Sequence, residues 1–346
     1  MMWATGDIPD LTGRTAVITG ANSGVGFETA AALAAAGATV VLACRNPERA
    51  EAARSALVER GVKGPVEVLR LDLASQRQIA DAADETNDRF ERIDLLVNNA
   101  GVMGTQRSVT EDGFELLFGT NHLGHFAYTG RILPRLVETP GSRVVIVGSL
   151  AYRFGRIRWD DLALEHRYRE SRAYSQSKLA NAMFCLEFQR RLAASGSRTI
   201  ALGAHPGFAA TEIIAARVER HPRYAGWMKE HLIQSAAEAA QSSLRAATDP
   251  GAYGGQFYGP SRLAGTSGPP RTIPWSRRAL DEMDQARLWQ LSEELTGVTY
   301  QPDPAPIVLP DAAERRHDAG SVPSGNRLHT IDGPRSASPV EANTSV

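Results

Sequence analysis

Arg14-Thr15-Ala16-Val17-Ile18-Thr19-Gly20-Ala21-Asn22-Ser23-Gly24-Val25-Gly26 is the stretch on which the fold turns. Arg14 to Thr19 is a short, β-branched apolar run and reads as a buried first strand. Thr19-Gly20-x-x-x-Gly24-x-Gly26 follows, and an alanine-rich helix, Phe27 to Ala36, begins straight after it and stops at Gly37. Glycines at this point let the backbone turn tightly and approach a pyrophosphate. The next helix then offers its N-terminal amides to the anion. The plainer reading is a glycine-rich turn with no ligand. Its place after a strand, before a helix and in the first βα unit favours nucleotide binding. No Gly-Lys-Ser/Thr ends the turn, so it is not a P-loop.

Outward from this unit the rhythm repeats. Strands are expected at Thr39–Ala43, Val66–Leu71, Ile93–Val97, Arg143–Val147 and Thr199–Ala204. Helices are expected at Pro47–Arg60, at Ser75–Arg89 with Ser75 as N-cap, over one long run from Glu111 to Val137, and around Tyr174 to Leu192. The strands are apolar throughout rather than alternating, as when both faces are covered. This predicts an α/β fold: a Rossmann-type, doubly wound parallel sheet of about seven strands, with helices on both faces. The seventh strand is placed at Gly255–Gly259, a loop at Gly265–Pro270, and helices at Ser235–Ala247 and Arg277–Leu295, the last capped by Gly297. Phe208 to Leu232 mixes aromatic and basic residues and reads as a lid or pocket wall. One domain is expected over residues 10–300. The last 46 positions hold seven prolines and no aromatic residue, so 301–346 is expected to be a disordered tail.

The unusual residues come just after strands: Gly20, Asp72, Asn98, Ser149 and Pro206. That is the binding edge of a doubly wound sheet. Arg45 follows the second strand, with no acid before Glu48. It is either a contact for a ribose 2′-phosphate, implying NADP(H) over NAD, or a surface arginine. Asp72, followed by Leu73, could bond an adenine amino group or simply close a turn. Asn98-Asn99-Ala100-Gly101 suits a tight turn that can also shape a cofactor pocket. Asn121 and its flanking glycines are poor interior helix residues, and a local rule broken inside a strong element often marks function. His122 and His125 could in principle share a metal, but no third ligand is near, so they read as packing or surface histidines and no metal is expected.

Tyr174 and Lys178 are four residues apart, one helical turn on the same face. A phenol ionises near pH ~10, and a neighbouring ammonium lowers that value. The pair is a plausible acid/base unit once the rest of a site surrounds it.

The remaining composition is bland. The chain has 346 residues, 42% hydrophobic and 22% charged, with a formal net charge of -1. No nucleic-acid or anionic-membrane surface is expected. Two cysteines, Cys44 and Cys185, offer neither a disulfide framework nor zinc spacing and fit a reducing, cytoplasmic setting. Met1 to Asp10 has no basic or apolar leader, and no apolar run is long enough to span a bilayer, so neither a signal peptide nor a membrane span is expected.

In this order, Thr19-Gly20-x-x-x-Gly24-x-Gly26, Asp72-Leu73, Asn98-Asn99-Ala100-Gly101, Asn121, Ser149, Tyr174-x-x-x-Lys178 and Pro206-Gly207 resemble the single-domain branch of the short-chain dehydrogenase/reductases. The resemblance covers about residues 10 to 300. The spacing from Ser149 to Tyr174, Leu150-Ala151-Tyr152 and the run Leu288 to Gly297 are similar to the retinol dehydrogenase and WW-domain oxidoreductase group. The resemblance implies hydride transfer between NADP(H) and a carbonyl or alcohol, on an apolar small-molecule substrate. It implies that Tyr174 is the acid, that Ser149 bonds the same oxygen, that Lys178 binds the nicotinamide ribose, and that Asn121 holds a water leading from Lys178 to solvent. Gly20, Asn22, Ser23, Gly24, Val25, Gly26, Arg45, Asp72, Leu73, Asn98, Ala100, Gly101, Pro206, Gly207 and Thr211 would line the cofactor with Tyr174 and Lys178. A homo-oligomer is implied by the resemblance alone. The competing class is a dinucleotide-binding redox sensor without turnover; an intact acid and its tuner argue against it.

Overall fold

The structure is a computed structural model, and it describes residues 3–104, 106–207 and 234–300. The expected lid at 208–232, Thr211 within it, and the tail after residue 300 lie outside the described residues.

Eight strands form one sheet, in the order β3-β2-β1-β4-β5-β6-β7-β8. They are β1 (Thr15–Thr19), β2 (Thr39–Cys44), β3 (Val66–Arg70), β4 (Leu95–Asn98), β5 (Arg143–Val147), β6 (Ile200–Ala204), β7 (Phe257–Arg262) and β8 (Ser267–Thr272). All neighbouring pairs are parallel except β7 with β8. The chain reverses direction outward between β1 and β4, so the ends of these two strands mark the crevice where ligands bind in such sheets.

β8 corrects the loop expected at Gly265–Pro270. Its Pro269 and Pro270 hide a strand that sits on the sheet edge, where a missing N–H costs no ladder bond.

Strand residues alternate between two cores. Ala16 and Ile18 of β1, with Val40 and Leu42 of β2, face one cluster that includes Ala30, Leu33, Leu57 and Leu244. Val17 and Val41 face the other, with Ile79, Phe126, Phe184 and Trp289. Helices cover both faces: α1 (Gly24–Ala35), α2 (Pro47–Glu59) and α8 (Ala236–Thr248) on the first, and α3 (Gln76–Arg89), α5 (Gly124–Arg131), α7 (Glu170–Ala194) and α9 (Glu282–Thr296) on the second. That double cover explains the unbroken apolar strands. Caps are where the sequence placed them: Ser75 accepts from Gln78 N at 3.2 Å, and Gly297 is left-handed at φ 65°. α9 itself starts later than expected, because Asp281 is its cap and bonds Asp284 N.

The long helix expected over Glu111–Val137 is broken. It comprises α4 (Leu116–Phe118), a π-turn at Gly119–Leu123, α5 and α6 (Leu133–Glu138), with Pro134 in the first turn of α6. A Cβ on Gly124 would lie 2.3 Å from the Leu73 carbonyl oxygen, so only glycine lets this segment pass so close to the end of β3. The π-turn carries Asn121, the residue whose poor helix fit marked it in the sequence.

Candidate active site

The glycine turn is a cradle. Gly20 and Gly24 have φ of 65° and 57°. A Cβ on Gly26 would lie 2.5 Å from both Asn99 Nδ2 and the Gly20 carbonyl oxygen. α1 begins at Gly24, so the amides of Gly24, Val25 and Gly26 stand in its first turn. Ser23 is its N-cap, yet its side chain makes no cap bond and is exposed. Asn22 is half-buried. Cys44 packs behind the turn, facing the amides of Ala21 and Asn22, and burial pushes its thiol up to about 11. Free amides, an uncommitted hydroxyl and a backbone no Cβ obstructs fit a pyrophosphate.

Around this cradle, Arg45 is exposed just past β2, and Gly20 N bonds Ala43 O of that strand at 2.8 Å. Among the described residues nothing pairs with its guanidinium. Asp72 spends Oδ1 on Ala74 N at 3.0 Å, which is the turn-closing reading, and its other oxygen is left for a ligand. Leu73 is buried.

The Asn98 side chain points away from the cradle: its Nδ2 donates to Thr129 Oγ1 at 2.9 Å. Asn99, placed by the sequence in the turn but not among the cofactor-lining residues, is the side chain that faces the glycine turn, donating to Thr19 O at 2.9 Å. Ala100 N donates to Thr19 Oγ1 at 2.9 Å, and Gly101 lies beside the catalytic cluster.

That cluster lies on β5, α7 and the π-turn. α7 covers Tyr174 and Lys178 as the spacing required. Ser149 follows β5, accepts from Ala151 N at 3.3 Å and stands near the Tyr174 phenol, whose pKa it lowers. Lys178 is 4% exposed, and its Nζ donates to Val147 O at 3.2 Å. Asn121 Oδ1 accepts from Val102 N at 2.7 Å, while its Nδ2 donates to Val102 O and to Ser177 Oγ, each at 3.1 Å. Both amide donors are therefore committed, and one lone pair of Oδ1 remains. A Cβ on Gly101 would lie 3.4 Å from Lys178 Nζ and 3.6 Å from Asn121 Oδ1, so the two groups face one small space.

Charge corrects one expectation. Burial raises the pKa of Tyr174, and the Ser149 hydrogen bond offsets only part of that. Burial also lowers Lys178 to about 8, so the lysine is itself strained by its site. Its Nζ lies 5.8 Å from the Tyr174 ring centroid, over the face rather than beside the hydroxyl. The protein alone thus holds Tyr174 as a neutral phenol, a proton donor.

The two histidines set aside as packing residues are buried, and burial lowers them to about 3 (His122) and about 4 (His125). His122 Nε2 bonds Ser292 Oγ of α9 at 2.9 Å. Among the described residues no metal-ligand cluster occurs.

Beyond β6, Gly207 is left-handed at φ 75°, and Gln234 Nε2 donates to Pro206 O at 3.0 Å.

A glycine turn after β1 and the Ser149, Tyr174 and Lys178 group after β5 and on α7 lie at one edge of the sheet, the arrangement of a nicotinamide-dependent oxidoreductase. The chain belongs to the short-chain dehydrogenase family, whose model matches residues 14–221. It is similar to mouse retinol dehydrogenase 14, at 37% identity over 85% of this chain and 89% of that one. Human retinol dehydrogenase 13 matches at 44% identity over 59% of this chain and 61% of that one. Among solved structures, an uncharacterised protein of Mycobacterium paratuberculosis matches with a TM-score of 0.72 and 42% identity, over 87% of this chain and 99% of that one. The protein is therefore an oxidoreductase acting on CH–OH and C=O groups, of a family that uses NAD(P). No described helix is long and apolar enough to cross a membrane.

Proposed function

We propose that the protein reduces apolar aldehydes or ketones, or oxidises the matching alcohols, with NADP(H). The observation that carries the reading is the setting of Tyr174. It packs against a small buried cluster of Leu117, Leu164 and Ala173, on which Val102, Leu116 and Tyr168 also pack. Leu164 and Tyr168 belong to the long segment between Ser149 and Tyr174, which so builds an apolar wall beside the acid. Burial of that kind favours substrates that lose little by leaving water.

When bound, the nicotinamide supplies or takes up the hydride. Tyr174 protonates the carbonyl oxygen in reduction, and its raised pKa keeps the proton available at neutral pH. Ser149 stands near the phenol, and from the same place its hydroxyl reaches the reacting oxygen and polarises it. Lys178 holds its charge below about pH 8, favours the developing phenolate and is placed for the nicotinamide ribose. The remaining Oδ1 lone pair of Asn121 is placed for a water next to Lys178. Arg45 is the reason for choosing NADP(H), since a guanidinium after β2 suits a 2′-phosphate.

The names of the relatives make retinal and retinol the first compounds to try. Oxidation of NADPH should be followed against retinal, medium-chain aldehydes, ketones and polar sugars. Turnover of the apolar compounds alone supports the reading. Preference for the sugars removes the apolar wall from it, and tight NADPH binding without any turnover favours the redox sensor. A homo-oligomer in a reducing, cytoplasmic setting is part of the same proposal, and sedimentation checks the assembly.

A further inference from the structure

His125 touches both halves of the site. It is 1% exposed on α5. Its Nδ1 lies 2.9 Å from the carbonyl oxygen of Asn121, and its Nε2 lies 2.9 Å from Thr19 Oγ1. A carbonyl only accepts, so Nδ1 carries the hydrogen. Burial holds the ring neutral at pH 7, which leaves Nε2 as an acceptor.

The Thr19 hydroxyl therefore donates to His125. Its lone pairs take the N–H groups of Asn99 and Ala100, each at 2.9 Å. The hydroxyl's bonding capacity is then filled, and the longer contact to Val97 O, at 3.4 Å, is the weaker choice for its proton. Thr19 is the residue before Gly20, at the mouth of the cradle. Asn121 bonds Val102 and Ser177 and shares the space beside Gly101 with Lys178. A histidine that only filled volume would not need both nitrogens spent on these two groups. The nearness of Lys178 to the ring also means that a charged imidazole would oppose the lysine's charge, so the neutral tautomer serves both.

We infer that His125 is a positioning residue, a neutral imidazole that ties the Asn121 carbonyl to the Thr19 hydroxyl and fixes the catalytic cluster against the cofactor turn. The inference rests on the hydride-transfer reading for its catalytic end only. Its cofactor end stands on binding.

The two ends can be cut separately. In His125→Asn the amide nitrogen takes the place of Nδ1 and keeps the Asn121 bond but not the Thr19 bond. In His125→Gln the amide oxygen reaches the place of Nε2 and keeps the Thr19 bond but not the Asn121 bond. NADPH affinity is read by fluorescence titration without turnover, and kcat is read across pH. His125→Asn should weaken NADPH about tenfold, the scale of one lost buried hydrogen bond, with kcat and its alkaline limb nearly unchanged. His125→Gln should leave affinity nearly unchanged, lower kcat about tenfold and shift that limb. Equal changes of affinity, kcat and melting temperature in both variants would make His125 core packing, and no change in either would do the same.

If neither variant folds, Thr19→Val cuts the cofactor end from the other side. It should weaken NADPH about tenfold with the limb unmoved, and unchanged affinity or a moved limb overturns the inference. A wild type that binds NADPH but turns over no carbonyl defeats the functional reading instead, while the affinity difference between the two histidine variants still decides the role of His125.

Discussion

Two halves of one strand edge are built differently. Beyond β1, β2 and β3 the site is backbone and exposed side chains: the Gly20–Gly26 turn, Ser23 and Arg45. Beyond β4, β5 and the π-turn it is buried side chains tied by hydrogen bonds, Asn121 to Ser177 and Lys178 to the Val147 carbonyl: Asn121, Ser177 and Lys178 are 0%, 0% and 4% exposed. The first half offers backbone amides that cost nothing to keep in place. The second half holds a buried cation beside a half-buried phenol, and burial shifts both pKa values away from the charged forms. Changes in the first half should act on binding in modest steps. Changes in the second should act on chemistry in large ones, and some should stabilise the fold.

The largest effect tests the second half directly. Tyr174→Phe keeps the ring on the cluster of Leu117, Leu164 and Ala173 and removes only the hydroxyl near Ser149. Loss of a general acid should lower kcat by about 10²–10⁴-fold, with NADPH affinity and melting temperature nearly unchanged. A variant within about threefold of wild type would take Tyr174 out of the chemistry.

Lys178 should divide stability from activity. Its pKa falls from a model-peptide 10.5 to about 8 on burial, so below pH 8 the folded chain carries a cation that the unfolded chain carries more cheaply. That gap corresponds to about 3 kcal/mol of destabilisation, to order of magnitude. As pH rises from 8 to 10.5 the folded lysine loses its proton before the unfolded one does, so the penalty fades. Lys178→Met should therefore lose most activity yet melt higher than wild type at pH 7, with the advantage shrinking towards pH 10. It should also remove any alkaline limb of kcat near pH 8. A lower melting temperature at pH 7 would mean that the bond to Val147 O outweighs the burial of charge.

Gly26→Ala asks whether the first half is as open as its exposure suggests. The new Cβ would meet Asn99 Nδ2 and Gly20 O at 2.5 Å, and overpacking of this kind costs about 1–3 kcal/mol. Melting temperature and NADPH affinity should fall together while kcat at saturation holds. A kcat that fell more than affinity would show the cradle and the catalytic cluster to be one mechanical unit, erasing the contrast between the halves.

The sequence showed these halves unequally, for physical reasons. The cradle was legible because it is local: a strand, three glycines and the start of a helix fall within thirteen consecutive residues, Arg14 to Gly26. The βα rhythm was legible because double cover makes strands uniformly apolar. The role of His125 was not, since its bond to Thr19 joins residues 106 positions apart. The break at Gly119–Leu123 was hidden because the helical pattern runs through it, and only Asn121 among glycines betrayed it. β8 was masked by its own prolines. The sign for Tyr174 was missed because four-residue spacing shows nearness to Lys178 but neither the burial of the lysine nor its place over the ring face.

The smallest effect concerns cofactor choice, and it belongs wholly to the exposed half. Arg45 stands past β2, beside a strand whose Ala43 O bonds Gly20 N at 2.8 Å, so it lies next to the cradle. A guanidinium on a phosphate is a fork-shaped, charge-assisted contact, worth about 10- to 150-fold in binding. Arg45 is exposed and screened by salt, which pulls the effect to the lower end. The wild type should prefer NADPH over NADH by at least about tenfold in kcat/KM. Arg45→Asp removes the attraction and adds repulsion, so the preference should reverse while kcat at saturation stays put. Raising the salt concentration should narrow the wild-type ratio and leave Tyr174-dependent turnover unchanged, since ions screen the exposed half and not the buried one. A wild-type ratio in favour of NADH, or a mutant ratio that does not move, would leave Arg45 a surface residue and NADP(H) without its anchor.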